Sequence, residues 1–153
     1  MLDPFETELN EILVDTFRSI LKVEEDTLKS TKIDLSISGL HLLEAVGKNG
    51  KQGRTISELA QELEITLPSV TVAINKLLKK GYVKKEKCGE DGRRVYVVLT
   101  RQGSKVDHAH RYFHRQMVRQ VSAEFSDREK QVLARGISKL DAFFRKKSAE
   151  MEK

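Results

Sequence analysis

The 153-residue chain has no tryptophan, two prolines and one cysteine, and only 6% of its residues are aromatic. A lone Cys88 excludes an internal disulfide, so packing alone must hold the fold. With proline confined to Pro4 and Pro68, long stretches are free to be helical. No apolar run reaches the roughly 18 residues of a membrane-spanning helix. The amino-terminal MLDPFETELNEIL is acidic and amphipathic, where a secretory leader is basic and then apolar. A cytoplasmic protein with no membrane partner is expected. Also missing are a Ser-His-Asp or Cys-His arrangement, a phosphate-binding glycine loop and a carboxylate pair in a setting that suggests turnover. The chain therefore reads as a non-enzyme with no required cofactor.

What is present is charge, unevenly spread. Residues 1–75 carry 7 basic and 13 acidic side chains, residues 76–105 carry 10 and 3, and residues 106–153 carry 11 and 7. The middle segment is thus more positive than the whole chain, whose net charge is +5. A charge run alone is usually a solvated face. Coincidence with a helix-turn-helix pattern makes nucleic acid the better partner.

Leu9, Ile12, Leu13, Phe17, Ile20, Leu21 and Leu28 recur at helical spacing, which predicts a helix from Pro4 to about Ser30. At 1.5 Å per residue it is about 40 Å long, more than so small a domain can cover, so it should pack on a second subunit. Ser36 or Ser38 caps a short helix carrying Leu40, Leu42, Leu43 and Val46, and Gly47 ends it. Thr55 with Glu58 is a capping box for a third helix. Thr66 and Pro68 start a fourth, with Val70, Ile74, Leu77 and Leu78 inward and Gly81 as its stop. Tyr82–Lys87 and Val95–Leu99 read as paired strands around the turn GEDGRR. Thr100 then caps a helix to about Phe125, and the Ser126–Glu129 box opens a last one with Val132, Leu133, Ile137, Leu140, Phe143 and Phe144 on one stripe. The fold class is mainly α with a small β-wing: a winged helix-turn-helix of six helices and a two-stranded hairpin, dimeric.

This order, with ISELAQELEITLPSVTVAINKLLKKGYV as support and recognition helices and EDGRRVYVVLTRQG as wing, resembles the MarR family of winged helix-turn-helix transcription regulators. The resemblance covers nearly all of residues 1–153 as one MarR-like domain. It implies a homodimer in which residues 1–34 and 101–153 form the dimerisation helices and 35–100 the DNA-binding region. It also implies that Asp91 and Arg93 shape the wing. FRSILKVEEDTLKSTKIDLSISGLHLLEAVGK, GYVKKEKCGEDGRRVYVVLT and HRYFHRQMV, followed by FSDREKQVLARGISKL, are similar to a subgroup that represses fatty-acid biosynthesis genes. That likeness implies acyl-acyl carrier protein as effector.

On this reading Thr66, Pro68, Ser69, Thr71, Val72 and Asn75 face operator DNA, with Asn75 suited to adenine and Val72 to a thymine methyl. The plainer alternative for Ser69 and Thr71 is a solvated helix face. Lys76, Lys79, Lys84 and Lys85 would meet phosphates, and Arg93 or Arg94 a minor groove. Phe17, Ile20, Leu21, Leu40, Leu43, Phe113 and Met117, with His41, His110 and His114, would line an effector pocket; plain core is the alternative. His110 and His114, four apart, can share a metal ion. A zinc-sensing branch of the family uses a first-helix carboxylate, a second-helix His and two such His, which implies Zn on Glu24, His41, His110 and His114, although the carboxylate does not align clearly. A polar network without metal stands beside it. Cys88, flanked by lysines in the wing, reads as an ordinary strand residue, with a redox switch as the alternative. A winged-helix module for protein partners is the competing function of another class, and a metallohydrolase on HxHxxxH ranks last.

Overall fold

Asp3 opens the first helix by accepting from the Glu6 N–H at 2.7 Å while Glu6 accepts from the Asp3 N–H at 2.8 Å. This capping box starts α1, Pro4–Lys29. A computed structural model describes residues 1–88 and 92–151, and for Cys88 the backbone alone. The elements that follow are α2 (Ile37–Gly47), a 3-10 turn (Gly50–Gln52), α3 (Ile56–Leu63), α4 (Leu67–Lys79), β1 (Val83–Cys88), β2 (Arg94–Leu99), α5 (Arg101–Ala123) and α6 (Asp127–Met151). The chain divides into two compact units, Met1–His110 and Arg111–Lys153, with the division inside α5.

In the first unit α2 is the central element. Ser36 is its N-cap, accepting from the Gly39 N–H, so the choice between Ser36 and Ser38 falls to Ser36. Five of its eleven residues, Leu40, Leu42, Leu43, Ala45 and Val46, are buried. Around them close Leu59 and Ala60 of α3, Val70, Ile74 and Leu77 of α4, and Tyr82, Val83, Val97 and Val106. Each large side chain fully removed from water here contributes about 1.5–3 kcal/mol. β1 and β2 are antiparallel, with Val83 opposite Leu99 and Cys88 opposite Arg94. β1 thus lies one residue later than expected at both ends, while β2 begins one residue early and ends at Leu99 as expected. Tyr82 is a buried residue whose carbonyl accepts from the Thr100 N–H at 3.1 Å, and Arg94 belongs to β2 rather than to the turn.

Along α1, Leu9, Leu13, Leu21 and Leu28 are half-buried, whereas Ile12, Phe17 and Ile20 are exposed. In the second unit α6 starts at the expected box: the Ser126 N–H and hydroxyl both donate to Glu129 at 2.8 and 2.7 Å. Its apolar residues Val132, Leu133, Ile137, Phe143 and Phe144 are exposed. No helix among the described residues is long and apolar enough to cross a membrane.

The boxes at Glu58 and Glu129 carry a pH dependence. Thr55 N–H donation to Glu58, and Ser126 donation to Glu129, hold both carboxyls below the usual range. Their stabilisation is complete above the ordinary glutamate value and is lost as pH falls through the lowered ones. The Glu58→Gln, Glu129→Gln double variant is therefore expected to show a flatter decline of unfolding temperature on acidification than the parent, measured by circular dichroism. Parallel declines in the two proteins would remove these boxes from the acid response.

Candidate nucleic-acid interface

Because Val70, Ile74 and Leu77 fix one face of α4 in the core, Ser69, Thr71, Val72, Asn75, Lys76 and Lys79 are turned outward, and all six are exposed. Thr66 caps the helix with its hydroxyl, which accepts from the Ser69 N–H at 3.3 Å and shares a hydrogen bond with the Ser69 hydroxyl at 2.8 Å. Thr71 donates its hydroxyl to the Leu67 carbonyl at 3.0 Å, which leaves its oxygen lone pairs outward as acceptors. Asn75 has no side-chain partner among the described residues, so its amide offers both a donor and an acceptor. Pro68, Ser69, Val72, Ala73 and Lys76 line an open depression of about 390 Å³ along this face. Small polar side chains over a firmly seated helix are what a major groove accepts.

The wing carries the cations. Lys84 is held to Glu86 on its own strand at 2.6 Å, with both side chains about half exposed. Its charge is therefore partly neutralised, while Lys85 and Lys87 extend the exposed strand. Arg93 precedes β2 and Arg94 begins it, close enough to α3 that its field helps lower the Glu58 carboxyl after hydrogen bonding to Thr55. Asp91, expected to shape the tip, lies outside the described residues, as does the Cys88 side chain. Lys80 was not singled out by the sequence reading. It donates to the Asp34 carbonyl at 2.8 Å and pairs with its carboxylate at 3.0 Å, tying the end of α4 to the loop before α2. A contact across 46 residues leaves no local signal.

A second group lies within the first unit, where α1, α2 and α5 supply Glu24, His41 and His110. Their ligand atoms all fall within 4.8 Å of one another. His41 Nε2 is 3.7 Å from Glu24 Oε1, and the two imidazole rings are 5.9 Å apart. Glu24 and His110 are buried and His41 is half exposed. His110 Nδ1 is 3.1 Å from Glu44 Oε2. Two imidazoles and one carboxylate suit zinc. His114, the fourth expected ligand, lies in the second unit, edge-on to Phe113 at 5.5 Å. Of the expected effector pocket, Leu40 and Leu43 are core, Phe17 and Ile20 are exposed and Leu21 is half-buried, while Phe113 and Met117 belong to the second unit. Two cavities not foreseen flank Leu35. One of about 460 Å³ runs along Leu28 and Ile33; the other, of about 250 Å³, lies among Leu42, Leu63 and Leu77.

The sequence model of the MarR family matches residues 33–94. The structure of Streptococcus pneumoniae FabT in complex with DNA is similar at a TM-score of 0.85 and 31% identity, over 92% of this chain and 97% of that one. A MarR protein from Peptoclostridium difficile is similar at 0.76 and 20% identity, over 99% and 96%. The uncharacterised HTH-type transcriptional regulator YhjH of Bacillus subtilis is 28% identical over 116 residues, which are 76% of this chain and 65% of YhjH.

Proposed function

Because the chain belongs to the MarR family of winged helix-turn-helix transcription regulators, we propose that it binds operator DNA as a homodimer and represses fatty-acid biosynthesis genes, with acyl-acyl carrier protein as effector. The observation that carries the DNA reading is the exposed polar face of α4, set beside a cationic hairpin and seated on a buried Val70–Ile74–Leu77 stripe. A FabT structure in complex with DNA shares this fold at 31% identity. Exposed Ile12, Phe17 and Ile20 on α1, and Val132, Ile137 and Phe143 on α6, are more apolar surface than a monomer ordinarily leaves in water. Their cover is a second copy, residues 1–34 and 101–153 serving as the dimerisation helices. Two recognition helices about 34 Å apart then enter successive major grooves, and an effector that alters their separation alters affinity without touching DNA.

A second reading, zinc as effector, is favoured by the Glu24–His41–His110 group. A mobility-shift titration on the duplex upstream of the protein's own gene tests both. Long-chain acyl-acyl carrier protein is expected to tighten operator binding, with no effect from the unacylated carrier. Zinc, under the second reading, tightens it in the parent and not in His41→Ala. Equal binding to operator and scrambled duplex would leave a winged-helix module for protein partners as the better account.

A further inference from the structure

Glu62, near the end of α3, receives two cations on one carboxylate: the Lys48 ammonium and the Arg54 guanidinium. Glu62 and Arg54 are mostly withdrawn from solvent, at 22% and 18% side-chain exposure, and Lys48 is half exposed. Lys48 is the C-cap of α2. Arg54 is bound at its other end to the wing, since its N–H donates to the Val97 carbonyl at 3.0 Å and its carbonyl accepts from the Val97 N–H at 2.7 Å. Val97 is fully buried in β2. One carboxylate on the support helix thus joins the end of α2 to the middle of the hairpin, where Val97 pairs with Lys85.

At its root the hairpin is closed by the residues that flank its two strands. There Thr100 donates its N–H to the Tyr82 carbonyl at 3.1 Å and its hydroxyl to the Gly81 carbonyl at 2.6 Å. The core holds β2 at Val97 and Val98, but Glu86, Lys87, Arg94 and Val95 beyond them are exposed, so the outer part of the ribbon can rock about the Lys85–Val97 pair unless Arg54 is steadied. The three residues from Val97 out to Arg94, at about 3.3 Å each, make an arm about 10 Å long, so a rotation of about 20° carries its end about 3 Å. That displacement exceeds the tolerance of a hydrogen bond.

We propose that Glu62 is a positioning residue for DNA recognition: it fixes the angle between the wing and α4, so that the wing cations reach phosphate while the α4 face lies in the groove. The inference rests on the DNA-binding reading above. The role is separable from base reading, because Glu62 acts through Arg54 and leaves the outward face of α4 untouched.

Full-length parent and Glu62→Gln are compared by fluorescence anisotropy on operator and scrambled duplexes across a series of KCl concentrations, with melting followed alongside. Glu62→Gln is expected to bind both duplexes about tenfold more weakly, with a salt slope shallower by about one for each wing phosphate contact given up. The ratio between the duplexes is expected to hold. Lys48→Gln removes one exposed cation from the same carboxylate and is expected to show a smaller change of the same sign; it decides the matter if Glu62→Gln does not fold. A folded variant with the parent's affinity and slope, or with weaker binding at an unchanged slope, overturns the inference alone. A parent that binds neither duplex overturns the DNA reading and the inference with it.

Discussion

Gly53→Ala is expected to destabilise the protein by about 3 kcal/mol, through forbidden backbone and collision together. For a chain of this size that is roughly 10 °C in the unfolding midpoint. Gly53 sits at φ +68, ψ −163, a region in which only glycine is comfortable. A Cβ added there would be 2.2 Å from the Val97 carbonyl oxygen and 2.4 Å from Val98 Cγ1. Neither neighbour can retreat, because Val97 and Val98 are buried at 0% and 4% exposure. Gly50 is the internal control: its φ is also positive, at +56, but nothing lies within 4 Å of its Cβ position. Gly50→Ala should cost only about 1 kcal/mol. Thermal melts of the two variants separate strain from collision, and equal losses would show that the approach of residue 53 to β2 carries no weight. Since the same approach lets Arg54 pair with Val97, Gly53→Ala should also loosen the wing.

The parts of this fold that were legible are those whose signal is local. Thr66 with Pro68, and the 4-3 spacing of Val70, Ile74 and Leu77, placed α4 before its structure was known, because cap, first turn and core stripe all lie within a dozen residues. The boxes at Thr55 and Ser126 are likewise reciprocal hydrogen bonds across three residues. The ends of elements were less legible. α5 stops at Ala123, because the N–H groups of Glu124 and Phe125 turn to carbonyls only three residues back, and an apolar Phe125 conceals that tightening. Arg94 looks like a turn residue by charge, yet pairing opposite Cys88 makes it strand. What could not be read was long-range convergence. The single bridge from Arg54 to Val97 has no strand composition, and Glu62 lies eight residues beyond Arg54 with no periodicity relating them. Likewise the His spacing suggested a ligand pair, but only the packing of α1 on α2 selects Glu24 from its acidic neighbours Glu25 and Asp26. Glu25 and Asp26 are exposed and Glu24 is buried, a distinction of helix phase that three consecutive acids hide.

Asn75→Ala is expected to lower discrimination between operator and scrambled DNA by about 1–3 kcal/mol, roughly 5- to 150-fold, if the amide is bidentate to a base edge. The residue is exposed on the outward face of α4 beside Val72 and Lys76, so its removal should leave the unfolding free energy within about 0.5 kcal/mol of the parent. Lys79→Ala makes the informative contrast. Its ammonium lies on the last turn of the same face, where it adds charge without a directional pattern, so its loss should weaken operator and scrambled duplex alike and lower the salt slope by about one. The two variants therefore move different quantities: Asn75→Ala the ratio between duplexes, Lys79→Ala the slope. Binding measured on both duplexes across a salt series resolves them. If Asn75→Ala weakened the two duplexes equally, the outward face of α4 would be a phosphate-binding surface, and base reading would have to come from the wing. Arg93 and Arg94 would then be the residues to test, since their guanidinium groups are the hairpin's only described side chains with a planar fork suited to a base edge or a narrow groove.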